Sequence, residues 1–162
     1  MLILGIDPGT AKLGYGLIKA DSGQARMTYV KAGCLTTTME TAMGERLFFL
    51  QEEIGKIILQ YKPDVLAIEQ LFFGINSRTA MAVGQARGVV LAVAARHKVP
   101  VFEYQGLSVK FTLTGFGRSD KKQIQESVRK HLRMKKIIKP DDAADGLAIA
   151  ITHHLKTNVK KA

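Results

Sequence analysis

The chain predicts an α/β fold built on a mixed five-stranded sheet with helices on both faces. Three patterns carry that expectation. Strand-like segments fill the first 36 residues without helical spacing between them. Strand and helix patterns then alternate to residue 104, and helices close the chain. Three antiparallel strands followed by such alternation give a mixed sheet covered on both sides.

Taken in order, LILGID at 2–7 is an apolar run closed by the Pro8-Gly9 turn, which marks a buried strand. LGYGLIKA at 13–20 is a second strand, forming a hairpin with the first, and Asp21-Ser22-Gly23 is a turn. A third strand runs over about 26–36. Leu47, Leu50, Ile54, Ile57, Ile58 and Tyr61 recur at helical spacing, so residues 42–61 form a helix ended by Lys62-Pro63-Asp64. VLAIE at 65–69 is a short central strand and LFFGIN a loop. Residues 77–97 form a helix rich in Ala and Gly, and 100–104 the fifth strand. A short helix from Leu107 to Leu113, a break at Gly115-Phe116-Gly117, and helices at 120–132 and 141–156 complete the chain.

With 162 residues the chain suits one domain spanning 1–162, large enough to bury a sizeable core. No apolar run approaches the roughly 18 residues of a membrane span, and no secretory leader is expected. Cys34 is the lone cysteine, so no internal disulfide forms; a reducing, cytoplasmic location is expected. The net charge of +10 is uneven: residues 1–60 are neutral, 61–120 carry +3 and 121–162 carry +7. A pI near 9.8 points to a polyanionic partner. A merely solubilising basic face is the competing reading.

Against that positive background stand four acids. Asp7 and Glu69 each close an apolar strand, and Asp142 and Asp145 lie three apart at the start of the last helix. Residues at i and i+3 share a helix face, and two carboxylates there repel unless a cation neutralises them. Alone, the helix pair is explained by the dipole, with Asp141 as N-cap and Asp142 as a first-turn acid. Alone, each strand-end acid faces water. Four converging on one cleft edge would instead form a site for hard, oxygen-preferring cations, Mg²⁺ or Mn²⁺. Histidine and cysteine are too few and badly spaced for zinc. Two such ions about 4 Å apart suit phosphodiester hydrolysis by activating water and binding the leaving oxygen. The reading is a metal-dependent nuclease with no covalent intermediate.

These motifs resemble those of the RuvC Holliday-junction resolvases of the RNase H-like superfamily. The resemblance runs nearly end to end through LGIDPGT at 4–10, AIEQLFF at 67–73, GQARGVV at 84–90, VFEYQGLSVK at 101–110 and DAADGLAIAITH at 142–153. It implies an RNase H-like fold and a homodimer making paired, symmetric nicks across a four-way DNA junction. It also implies Mg²⁺ at two ions per site with Mn²⁺ able to substitute, and cooperation with the RuvA–RuvB branch-migration complex. Asp7, Glu69, Asp142 and Asp145 match the metal-binding acids; some relatives carry histidine where Asp142 stands. Lys110 and Lys121 match basic residues implicated in DNA binding or catalysis, with the Lys121-Lys122 doublet leaving that match open by one residue. Phe72 matches an aromatic inserted near the junction centre, and Phe73 beside it is a second candidate for stacking on unpaired bases. Core packing is the competing reading for both.

Gly14 and Gly16 around Tyr15, and Gly115 and Gly117 around Phe116, lack the rest of any phosphate-loop pattern and read as backbone relief. The second pair could mark a flexible loop touching DNA. His97, His131, His153 and His154 are expected at the surface or at helix ends, although His153 shares the acid face of the last helix. The small-residue helix at 77–97 suits either a dimer face or core packing. Three rivals remain: a sugar-kinase or actin-like ATPase, which LGIDPGT echoes but which needs two domains; a junction-binding module without catalysis; and a nuclease acting on RNA–DNA hybrids or flaps.

Overall fold

The computed structural model describes residues 1–21, 26–71 and 77–159. The strands are β1 (Leu2–Asp7), β2 (Lys12–Ala20), β3 (Met27–Thr36), β4 (Val65–Glu69) and β5 (Val101–Tyr104). The helices are α1 (Met43–Tyr61), α2 (Ser77–Arg96), α3 (Gly106–Thr114), α4 (Lys121–His131) and α5 (Asp141–Val159). Element order and type follow the sequence expectation throughout. The sheet has the order β3-β2-β1-β4-β5. The first three strands are antiparallel, and β1, β4 and β5 are parallel. Among the described residues, no helix is long and apolar enough to cross a membrane.

Side-chain alternation sorts the strands into two cores. Leu4 and Ile6 of β1, Leu13 and Leu17 of β2, and Leu66 and Ile68 of β4 face α1 and α2. There they meet Leu50, Ile54 and Ile58 of α1 and Ala86, Val90 and Ala94 of α2. Ile3, Ile18 and Ala67 face the other way, toward Leu147 and Ile151 of α5, Val109 of α3 and Ile124 of α4. Coverage on both faces explains why β1 and β4 read as continuous apolar runs.

The α5 face of the sheet is flattened by glycine. By parity Gly5, Gly14 and Gly16 all point at α5. A Cβ at Gly14 would collide with the Asp142 carbonyl, and one at Gly16 with the backbone of Leu147. Gly146 answers from the helix, where a Cβ would collide with Tyr15 and Gly16. The backbone relief expected at Gly14 and Gly16 is therefore room for a helix lying directly on the strands.

Two helix ends follow local chemistry. Lys62 takes the left-handed conformation (φ 50°) and donates to the Ile58 carbonyl, ending α1 just before Pro63. Asp120 and Gln123 form a reciprocal capping box that starts α4.

Candidate active site

Parity and register together gather the acids. Ile6 pairs with Ile68 across the parallel β1–β4 ladder, so the next residues, Asp7 and Glu69, end side by side. As odd-numbered residues they share the face of Ile3 and Ala67, which α5 covers. Gly14, opposite Asp7 in the β1–β2 ladder, lets the first turn of α5 rest on the strand, bringing Asp142 and Asp145 to the same edge. Asp7, Glu69 and Asp145 line one cleft of about 220 Å³, floored by Ala148 and Ile149 and walled by Lys110, Ser119 and Lys121. Asp142 stands beside it, toward β2. Gly106 opens α3 against Glu69, and a Cβ there would strike the Glu69 Oε1.

The carboxylates strain one another. Burial, then the negative charges of Glu69, Asp145 and Asp142, push the Asp7 carboxyl up to about 8. Without a cation the Asp7 carboxyl thus favours its protonated form, hydrogen-bonded to Glu69. Burial also raises Glu69, opposed by that hydrogen bond and by the positive charge of Lys110. Asp145 is lifted to about 6, again chiefly by burial, with Lys121 pulling the other way.

A divalent cation fits this donor set. Every donor is a carboxylate oxygen, the class that hard cations prefer. The Asp142 Oδ2 is shielded from solvent and has no hydrogen-bond donor; the nearest cation is the Lys12 ammonium at 3.7 Å. A buried carboxylate oxygen without a donor is unfavourable unless something else satisfies it. Among the described residues no three acid, histidine or cysteine side chains already enclose an ion-sized point. The Asp7–Glu69 hydrogen bond must open for these oxygens to serve as ligands.

The remaining candidates separate. Lys110 and Lys121 reach the cleft, whereas Lys122 turns away into a groove between α3 and α4. The Lys121 Nζ lies 2.8 Å from the Asp141 Oδ2, which holds the Asp141 carboxyl below its usual range. The competing dipole reading made Asp141 the helix N-cap; it is instead the first residue of α5, and its carboxylate binds a lysine from another helix. Phe72 and Phe73 lie outside the described residues.

The histidine expectation fails for two residues. His153 and His154 are buried, at 2% and 1% exposure. The face of α5 that carries Asp145 at its start is closed further along by neighbouring elements, so His153 packs on Phe102 and its Nδ1 meets the Tyr104 hydroxyl at 2.8 Å. The loop at Phe116 is also tied down. The Thr114 hydroxyl donates to the Phe116 carbonyl and meets the Ser119 hydroxyl at 2.5 Å, and the Phe116 amide donates back to Thr114. Phe116 itself is 73% exposed. Lys12 carries no signal in the linear sequence; only the packing of α5 on β2 sets it beside Asp142.

An α/β sheet of this order, with carboxylates converging at one strand edge from two parallel strands and the last helix, defines a metal-dependent nuclease of the RNase H-like class. The model of the crossover junction endodeoxyribonuclease RuvC family matches residues 3–153. A RuvC from Roseiflexus sp. is 51% identical over 93% of this chain and 88% of its own length. One from Desulfitobacterium hafniense is 51% identical over 98% and 95%. Thermus thermophilus RuvC in complex with a Holliday junction substrate superposes with a TM-score of 0.92 at 30% identity, covering 100% of this chain and 98% of that one. The yeast mitochondrial Holliday junction resolvase shares the fold, with a TM-score of 0.68 at 14% identity. This chain belongs to the RuvC family of crossover junction endodeoxyribonucleases. Membership implies dependence on a divalent metal.

Proposed function

We propose that residues 1–162 act as one catalytic domain that resolves four-way DNA junctions by paired symmetric nicks, working as a homodimer. The observation that carries the reading is the meeting of Asp7, Glu69 and Asp145 in one cleft, with the donor-free Asp142 Oδ2 beside it. Asp7, Glu69, Asp142 and Asp145 would hold Mg²⁺, two ions per site, with Mn²⁺ able to substitute. Bound there, the ions supply Lewis-acid activation of water and charge neutralisation at the leaving oxygen. The protein's own part is to hold these oxygens in place and to release the Asp7 proton that now lies against Glu69. Lys110 and Lys121, on the cleft wall, attract and orient the phosphodiester. The Lys121–Asp141 pair fixes where the Lys121 ammonium sits.

Phe72 and Phe73 follow the Glu69 strand closely enough in sequence to stack on bases opened at the junction. Lys122 contributes to the wider basic field rather than to the cleft. A cytoplasmic location and cooperation with RuvA–RuvB follow from the family.

The test is cleavage of a synthetic four-way junction with Mg²⁺, using linear duplex and Asp7→Asn as controls. Paired nicks by the wild type alone, on the junction alone, are expected. Equal cutting of linear duplex would overturn the junction assignment, and cutting by Asp7→Asn would overturn the metal site.

A further inference from the structure

A pocket of opposite character, suited to an anion, lies at the same end of the sheet, away from the acids. Arg46, in the first turn of α1, is only 7% exposed. Its Nε donates to the Thr37 hydroxyl at 2.7 Å, and that hydroxyl donates to the Thr10 carbonyl at 2.5 Å. One edge of the guanidinium is therefore anchored. Its two terminal amino groups have no acceptor among the described residues, and no carboxylate there forms an ion pair with it. Buried guanidinium groups are ordinarily paired with an anion. This one opens into a cavity of about 270 Å³ edged by Thr36, Thr37, Thr38, Thr41 and Phe49.

The N-terminus of α1 faces the same region. It spans 19 residues, its N-cap Ala42 supplies no side-chain acceptor, and a Cβ at Gly44 would meet nothing within 4 Å. Its free amide groups and dipole favour negative charge. Two carboxylates oppose an anion: Glu45 at the mouth of the cavity, and Glu40, which accepts from Thr38. Both are exposed to solvent, where their repulsion is screened.

Register fixes where this site sits. Thr36 pairs with Lys12, two residues beyond the Gly14 that pairs with Asp7, so the cavity opens two strands away at the same end of the sheet, on the side of α1, whereas the acids lie on the α5 face. Two strand spacings and two residues of strand together span about 12 Å, to which the step from one face of the sheet to the other adds; that is several nucleotides along a DNA strand at about 3.4 Å of rise each.

We propose that Arg46, held in place by the Thr37 hydroxyl, together with the hydroxyls of Thr38 and Thr41 and the first turn of α1, seats one backbone phosphate of the DNA strand, a few nucleotides from the cleaved bond. The anion seat stands on this geometry alone; its assignment to DNA rests on the junction-endonuclease reading. The seat fixes the strand's position along the sheet edge, so the scissile phosphate meets the carboxylates in register.

The test has two arms. In the first, junctions carrying a single neutral methylphosphonate at successive positions are bound, without divalent metal, by wild type, Arg46→Gln and Thr38→Val. At one position near the cleavage site, neutralisation should weaken wild-type binding about tenfold and Arg46→Gln binding less than twofold. Equal losses in both proteins at every position would overturn the proposal. Thr38→Val, at an exposed residue, guards against misfolding of the Arg46 variant and should give an intermediate loss. In the second arm inorganic phosphate is added to the protein alone; it should raise the wild-type melting temperature more than that of Arg46→Gln. If wild type neither binds nor cuts junctions, the functional reading fails. The phosphate arm then decides the seat: protection that depends on Arg46 upholds it, and equal protection removes it.

Discussion

Lys121 of α4 and Asp141 of α5, twenty residues apart in sequence, form an ion pair of 2.8 Å at the rim of the acid cleft. The pair divides the Asp141-Asp142 doublet. Asp141 is neutralised by a lysine, whereas the Asp142 carboxylate keeps a buried oxygen with no hydrogen-bond donor. Adjacent residues of one type thus meet different surroundings, and only the second keeps a free oxygen for a cation.

Asp141→Asn should therefore reduce cleavage only a few-fold, while Asp142→Asn and Asp145→Asn should remove it. Both partners of the pair are partly exposed, so its loss should change stability by about 1 kcal/mol at most. Single-turnover cleavage rates and melting curves separate these outcomes. Complete inactivity of a folded Asp141→Asn would place that residue among the metal ligands.

Asp7→Asn should abolish cutting and, without metal, stabilise the fold at high pH. The folded-state carboxyl is raised to about 8 from an ordinary value of 3.8. Folding therefore favours its protonated form. That contribution is complete below about 4 and is lost as pH rises through 8. In EDTA the asparagine variant should melt higher than wild type above pH 8, by about 2–4 °C for each 1 kcal/mol relieved. Added Mg²⁺ should raise the wild-type melting temperature and leave that of the variant nearly unchanged. A metal-induced shift of equal size in both would contradict the ligand role of Asp7.

Gly14→Val and Gly146→Val should each destabilise by about 3 kcal/mol or more, the upper end of overpacking losses, because the colliding atoms are backbone and cannot rotate away. Gly44→Ala, in open space, serves as the control. Thermal melts decide. A Gly14 variant of normal stability would mean that α5 does not rest on β2 at this distance.

Phe116→Ala should weaken junction binding about tenfold if its exposed ring stacks on DNA, within the 1–3 kcal/mol of a base–aromatic contact. The side chain is 73% exposed and the hydrogen bonds of its loop use backbone atoms, Thr114 and Ser119, so the melting temperature should barely move. Loss of stability with unchanged affinity would give the ring a packing role instead.

Junction affinity should fall steeply with salt, with a log–log slope near −0.9 for each phosphate neutralised. A titration from low to moderate salt reads the slope directly. A flat response would count against the basic surface as the DNA-binding face.

The order and type of every element were legible in the sequence, because local periodicity, Pro and Gly punctuation and helix-capping residues act over a few positions. The four acids stood out as candidates, Asp7 and Glu69 because each closes an apolar strand, and Asp142 and Asp145 because they lie three apart at the start of a helix. What linear order could not settle was contact between residues far apart. Lys12 meets Asp142 only through the packing of α5 on β2, and Lys121 meets Asp141 only through the packing of α4 on α5. His153 and His154, polar residues on a helix that could have faced water, are buried because several elements close around α5. Arg46 reads as an ordinary helix residue until the end of β3 and the start of α1 enclose it. Sequence alone determined which residues could do the chemistry. The tertiary structure decided which of them share a cleft, because burial and charge–charge distance belong to packing, and packing is set by contacts that sequence separation conceals.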